Sequence, residues 1–143
     1  MGQTLCVKTE PITSVMTTEV ISIDRDQPLS EAYQALRGAG YHHIPVLERD
    51  RPVGMISSTD ILKLAYDVEG SDDRMLRSML DHQFTIDDAM TADLVTLPDT
   101  ATVHDAADVL ARGSLHSVVI VDAEGALVGI VTTTDLIRYL RDL

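Results

Sequence analysis

Tryptophan is absent from this chain, phenylalanine occurs once and tyrosine four times. A core within its 143 residues must therefore be filled by Val, Ile, Leu, Ala and Met. Cysteine occurs once, as Cys6, which excludes an internal disulfide and a thiolate metal centre. That thiol reads as inert, in keeping with a reducing cytoplasm. No apolar run approaches the roughly 20 residues that a membrane helix needs. The N-terminal stretch from Met1 to Lys8 lacks a charged region followed by an apolar one, so no signal peptide is expected. The Met-Gly start carries Cys6 where a myristoylation motif needs Ser or Thr. Basic residues are few, 11 against 23 acidic, for a net charge of −12. A field of that sign repels nucleic acid and anionic membrane, yet leaves room for one anion held by local donors. There is no P-loop, no Gly-x-Ser-x-Gly and no His-Glu-x-x-His, so no catalytic apparatus is expected.

What is present is one unit written twice. Val15-Met16-Thr17 returns as Ala89-Met90-Thr91. Val53-Gly54-Met55-Ile56-Ser57-Ser58-Thr59-Asp60 returns as Val128-Gly129-Ile130-Val131-Thr132-Thr133-Thr134-Asp135, at a slightly longer offset. A single insertion near the Glu124-Gly125 turn accounts for the shift. A repeat of this period cannot bury its apolar face alone and packs on its twin, commonly about a pseudo-twofold axis. The divisions expected are an N-terminal segment 1–11, a first repeat 12–66, a linker 67–84 with a short amphipathic helix, and a second repeat 85–143.

Each half reads strand, helix, strand, strand, helix. Val20-Ile21-Ser22-Ile23 is a β-rich run, and Leu29, Ala32, Tyr33 and Leu36 follow at helical spacing. Gly38 and Gly40 stop that helix. Two short strands, 44–47 and 53–56, flank a charged turn, and a helix starts near Ser58 or Thr59. In the second half the strand is Leu94-Val95-Thr96-Leu97. Val103, Ala106, Ala107 and Leu110 make a helical stripe, Thr102 and Asp105 a variant capping box, and Gly113 ends the helix. Strands at 118–121 and 127–131 and a helix at about 134–140 complete the copy. In the linker Met75, Leu76, Met79 and Leu80 share one helix face, which covers its own domain's edge or meets a partner.

Two strings, Gly54…Ser57…Asp60 and Gly129…Thr132…Asp135, end a strand and open a helix. Glycine there lets a ligand or another backbone approach the strand. A hydroxyl three residues before a carboxylate is a helix cap whatever the function. The carboxylate can also take both hydroxyls of a ribose, while the hydroxyl and N–H groups can meet a phosphate. Doubling at matched places favours a ligand site. Lys63 and Arg138 lie three residues after each Asp, placed to reach an anion or to pair with that Asp. His42 and His43, neighbours on a strand, face opposite ways and make a poor metal pair. Tyr41 and Tyr66 pack the rim or flank a planar ligand.

With these strings, His42-His43-Ile44-Pro45-Val46 and His116-Ser117-Val118-Val119-Ile120-Val121-Asp122, the chain resembles a tandem pair of CBS (cystathionine β-synthase) domains, a Bateman module. No single string is specific; the ordered set, present twice from about 12 to 140, is. The resemblance implies an α/β (α+β) fold of two βαββα repeats packed about a pseudo-twofold axis. It also implies clefts that take AMP, ADP, ATP or S-adenosylmethionine. Asp60 and Asp135 would hold ribose hydroxyls, with Ser57 and Thr132 near ribose or phosphate. Adenine would lie against Val20, Ile21 and Ser22 and against Leu94, Val95 and Thr96, near Met55, Ile56, Ile130 and Val131. His42 and His116 match a phosphate-contacting histidine that some relatives follow with arginine, where this chain has His43 and Ser117. A structural hydrogen-bonding role for both histidines stays equally open.

The implied function is a stand-alone, cytoplasmic, non-catalytic regulatory module that senses an adenosine ligand. It would act as a homodimer on a protein partner that the sequence does not name, with no nucleic acid, no membrane and no metal. The alternative is an interaction or assembly module whose clefts stay empty.

Overall fold

In this computed structural model the described residues are 9–38, 42–65, 73–92 and 94–143. Cys6, Gly40, Tyr41 and Tyr66 lie outside them. The chain is α+β, with two three-stranded sheets and flanking helices. It divides into two compact units, Ile21–Leu94 on one side, Met1–Val20 with Val95–Leu143 on the other.

In the 21–94 unit, β1 (Ile23–Asp24) lies parallel to β2 (His43–Glu48), which pairs antiparallel with β3 (Arg51–Ser57). The helices are α1 (Leu29–Gly38), α2 (Ser58–Ala65), α3 (Asp73–Gln83) and the single turn α4 (Ile86–Ala89). Leu29, Ala32 and Leu36 of α1 enter an aliphatic core with Ile44, Val46, Ile56, Ile61 and Ile86. Helix α3 settles the linker: Leu80 is fully buried in this core and Leu76 packs against it. Asp81 also caps α1, accepting from the Ser30 N–H at 2.8 Å and its hydroxyl at 2.7 Å. The helix covers its own unit and leaves Met75 exposed.

The other unit repeats the plan. β4 (Thr96–Pro98) runs parallel to β5 (Ser117–Val121), which pairs antiparallel with β6 (Leu127–Thr132). Helix α5 (Val103–Leu110) buries Val103, Ala106 and Leu110, and its Thr102–Asp105 capping box forms as the spacing predicts. Beyond it Gly113 takes φ +80°, the left-handed conformation glycine adopts at least cost. Helix α6 (Thr133–Arg141) buries no residue fully.

Both first strands are shorter and later than the sequence predicts. Only Ile23 and Asp24 pair with β2, and the exposed Ile21 and Ser22 precede the ladder. Thr96 to Pro98 pair with β5, and Leu94 and Val95 precede β4. β-Propensity marked these runs, but an edge strand persists only where its partner strand lies alongside.

The lead-in of each repeat packs on the other repeat's hairpin. Thr17 exchanges backbone hydrogen bonds with Ile130 of β6, at 2.8 and 3.0 Å. Thr91 does so with Met55 of β3, at 2.9 and 2.8 Å. Upstream, a 3₁₀ turn (Ile12–Ser14) seats the fully buried Ile12 in the 95–143 core, where the Ile12 N–H donates to the Ala101 carbonyl. Its counterpart Ile86 is fully buried in the 21–94 core. The unit of sequence repetition and the unit of packing are thus different divisions of the chain.

A bulge makes room for this exchange in each hairpin. The register slips between Val46 and Leu47, and again at the equivalent place in the second copy, between Ile120 and Val121. Val53 and Val128 are the unpaired extra residues, each just before the glycine that the lead-in crosses.

Candidate functional site

The glycine of each doubled string serves the fold. A Cβ on Gly54 would stand 2.8 Å from the Thr91 carbonyl oxygen and 2.9 Å from Met90 Sδ. One on Gly129 would stand 2.7 Å from Met16 Sδ and 3.0 Å from the Thr17 oxygen. Of the two approaches the sequence allowed, ligand or backbone, the structure shows backbone.

The next residues form a matched pair of helix heads. In the 21–94 unit the Ser57 N–H donates to Asp60 Oδ2 at 2.9 Å, and the Asp60 N–H donates to Ser57 Oγ at 3.1 Å. In the other unit Thr132 and Asp135 make the same two bonds at 2.9 and 3.1 Å. These are reciprocal capping boxes, with Asp in place of the usual Glu or Gln. They occupy Oδ2 of each half-buried aspartate. The carboxylate turns towards its own helix start, so among the described residues neither Lys63 nor Arg138 forms an ion pair with it.

The histidines sit at the same heads through their main chains. The His42 carbonyl accepts from the Ser58 N–H at 3.1 Å, and the His116 carbonyl accepts from the Thr133 N–H at 3.0 Å. These bonds satisfy the first orphan N–H of α2 and of α6. Both histidines are exposed. The arrangement puts an exposed imidazole, a hydroxyl and a carboxylate at one helix start, twice.

Thr17 joins the second head. Its Oγ1 lies 3.5 Å from both carboxylate oxygens of Asp135, the outer limit of a hydrogen bond. The Met-Thr repetition was visible in the sequence, but not that Thr17 reaches an aspartate near the opposite end of the sequence.

The remaining candidates divide. Ile56 and Val131 are fully buried in the two cores, so their side chains are unavailable to a ligand. Alternation along the strand turns these two inward. Ser22 and Thr96 are exposed, and Ile21 is 39% exposed; Val20, Leu94 and Val95 are half-buried. Val95 uses its carbonyl to accept from the Val119 N–H at 3.1 Å. Each of these runs crosses the division between units, at Val20/Ile21 and at Leu94/Val95. Among the described residues no cluster of three or more His, Cys, Asp or Glu is placed to hold a metal, and no helix is long and apolar enough to cross a membrane.

Among the described residues an ion-pair clamp marks the 21–94 unit and not the other. Arg25, after β1, grips Asp87 of α4 through Nε at 2.8 Å and a second nitrogen at 3.2 Å, and reaches Glu48 at 3.1 Å. The Asp87 bond raises the arginine's pKa further. The equivalent position in the other unit is Asp99.

The family model for the CBS domain matches residues 12–67 and again 86–142. A CBS domain-containing protein of Dictyostelium discoideum is 28% identical over 134 residues, which span 90% of each chain. An uncharacterized protein of Methanocaldococcus jannaschii, MJ0188, is 25% identical over 129 residues, spanning 89% of this chain and 43% of that one. The chain thus covers less than half the length of some curated relatives.

Solved structures of similar fold include CBSX2 in complex with AMP, at TM-score 0.75 and 22% identity, covering 93% of this chain and 97% of that one. The CBS domain of a bacterial CNNM/CorC family Mg2+ transporter in complex with ATP has TM-score 0.76 and 22% identity, covering 98% and 93%. The CBS domain pair of protein MJ0100, with 5′-methylthioadenosine and S-adenosyl-L-methionine, has TM-score 0.70 and 24% identity, covering 91% and 98%.

Proposed function

The chain belongs to the CBS-domain family, and from that membership we propose that it is a regulatory module that binds an adenosine ligand. The observation that carries the reading is the doubled helix head. Asp60 and Asp135 each commit Oδ2 to the cap; Oδ1 of Asp60 is left as an acceptor for a ribose hydroxyl, and Oδ1 of Asp135, which also lies 3.5 Å from Thr17 Oγ1, keeps a second lone pair for one. Ser57 and Thr132 hold that carboxylate in place, and the His42 and His116 carbonyls fix the first N–H of each helix. Ligands of solved relatives support the class: AMP, ATP, and S-adenosylmethionine with methylthioadenosine, which share adenine on a ribose with its 2′ and 3′ hydroxyls. In each head the hydroxyl and the carboxylate are held by helix N–H groups, which supports a role of sensing without turnover. Ligand binding would bias the contact with a protein partner.

A homodimer in the cytoplasm is the proposed working form. Exposed Leu62 on α2 and Ile137 and Leu140 on α6 are apolar residues that a second copy would cover. Light scattering at 15.6 kDa across micromolar concentrations would refute that assembly.

The test of the function is calorimetry and thermal shift with adenosine, AMP and S-adenosylmethionine. A ligand at 100 times its Kd stabilises the fold by about 2.7 kcal/mol. Asp60→Ala and Asp135→Ala should each weaken binding, beyond a cap loss of roughly 0.5–2 kcal/mol in stability. If no adenosine ligand shifts the wild type, the clefts stay empty and the chain is an interaction or assembly module.

A further inference from the structure

Resting on the adenosine reading above, we infer that this chain discriminates against polyphosphates, taking adenosine or its monophosphate in preference to ATP. A helix start ordinarily offers phosphate its unpaired N–H groups. Here most of those donors are already used. The Ser57 N–H goes to Asp60, the Ser58 N–H to the His42 carbonyl and the Asp60 N–H to Ser57 Oγ. Thr132, Thr133 and Asp135 spend theirs in the same way. The fixed charge left at each head is a carboxylate, which receives hydroxyl donors and repels anions.

The strand beside each head supplies no permanent cation. Residues directly opposite in an antiparallel ladder carry their side chains on one face. Opposite Ser57 is His43, and opposite Thr132 is Ser117. The basic residues nearest the cap in each helix, Lys63 and Arg138, lie six positions after it, roughly 9 Å along the axis at 1.5 Å per residue. The whole chain adds a net charge of −12. Each phosphate beyond the first therefore brings negative charge to a place that has carboxylate and little to balance it.

The experiment is calorimetry on the full chain with adenosine, AMP, ADP and ATP, without divalent cations. The expected result is a fall in affinity with each phosphate after the first, with ATP on the order of tenfold weaker than AMP. Ser117→Arg, which adds a cation opposite Thr132, should narrow the gap between ATP and AMP while leaving adenosine unchanged. Thr134→Arg, at an exposed position of the first turn of α6, repeats that test should Ser117→Arg fail to fold. ATP binding as tightly as AMP in the wild type overturns the inference, as does a gap that neither foldable arginine variant narrows. Failure of adenosine and AMP to bind at all is a different result, and strikes the adenosine reading itself.

Discussion

Adding one methyl group at Gly54 or Gly129 tests whether the two glycines serve the crossing of the lead-in. At Gly54 the new Cβ meets the Thr91 carbonyl oxygen at 2.8 Å and Met90 Sδ at 2.9 Å. The oxygen is locked in the Thr91–Met55 bridge, so relief requires breaking that pairing. Overpacking of this kind costs about 1–3 kcal/mol, and the backbone obstacle puts Gly54→Ala near the upper end. At Gly129 the nearest atom is Met16 Sδ at 2.7 Å, the end of a flexible side chain, and the Thr17 oxygen stands at 3.0 Å. Gly129→Ala should then cost roughly 1 kcal/mol, and Met16→Ala added to it should recover part of the loss. Met90→Ala should not rescue Gly54→Ala, because the carbonyl remains. Gly38→Ala, at the end of α1 with nothing within 4 Å of its Cβ, is the control and should be neutral or stabilising. Urea unfolding by circular dichroism reads all five variants. If Gly54→Ala unfolds at the wild-type midpoint, the lead-in does not lie on the strand and the packing described is wrong.

Two further predictions follow from local geometry. The β2–β3 turn holds Arg49 at φ +53° and Asp50 at φ +67°, the backbone of a two-residue hairpin turn that prefers Asn-Gly. Arg49→Asn with Asp50→Gly should raise stability by about 1 kcal/mol, and an unchanged urea midpoint would count against it. Donation from the Thr102 N–H, then from its side chain, holds the Asp105 carboxyl below its ordinary 3.8. A carboxyl depressed by folding lends stability at higher pH and withdraws it as pH falls through its folded value. The Asp105→Asn variant should therefore lose less stability than wild type between pH 5 and 2, approximate limits set by the ordinary carboxylate range, as read by thermal melts.

The readable parts of this molecule are those whose partners lie within a few residues. Thr102 with Asp105, Ser57 with Asp60 and Thr132 with Asp135 are three positions apart, so spacing alone places each cap. The stripe of α5 is legible for the same reason, since Val103, Ala106 and Leu110 face one core. Repetition shows that Met16 and Met90 are equivalent, but equivalence does not say which copy's strand each one crosses. That choice depends on loop path and packing, and it settles the role of Gly54 and Gly129. Val20 to Ser22 were legible as β-formers, but pairing is a property of two strands, and β2 reaches only Ile23 and Asp24. Inward alternation at Ile56 and Val131 was available in the pattern. It was outweighed there by closeness to the capped serine and threonine.

The exchanged lead-ins impose an order of events on synthesis. The 21–94 unit is one uninterrupted stretch, complete as soon as its last residue leaves the ribosome. The other unit needs Thr17 to find Ile130, a partner made only after the whole 21–94 unit and most of the second hairpin. At about 5–20 residues per second that is a wait of roughly 6–23 seconds with Ile12 still without its core. The unit completed last thus depends on residues made before the other was begun. A circular permutant opened between Val20 and Ile21 would leave both units contiguous and shorten the wait.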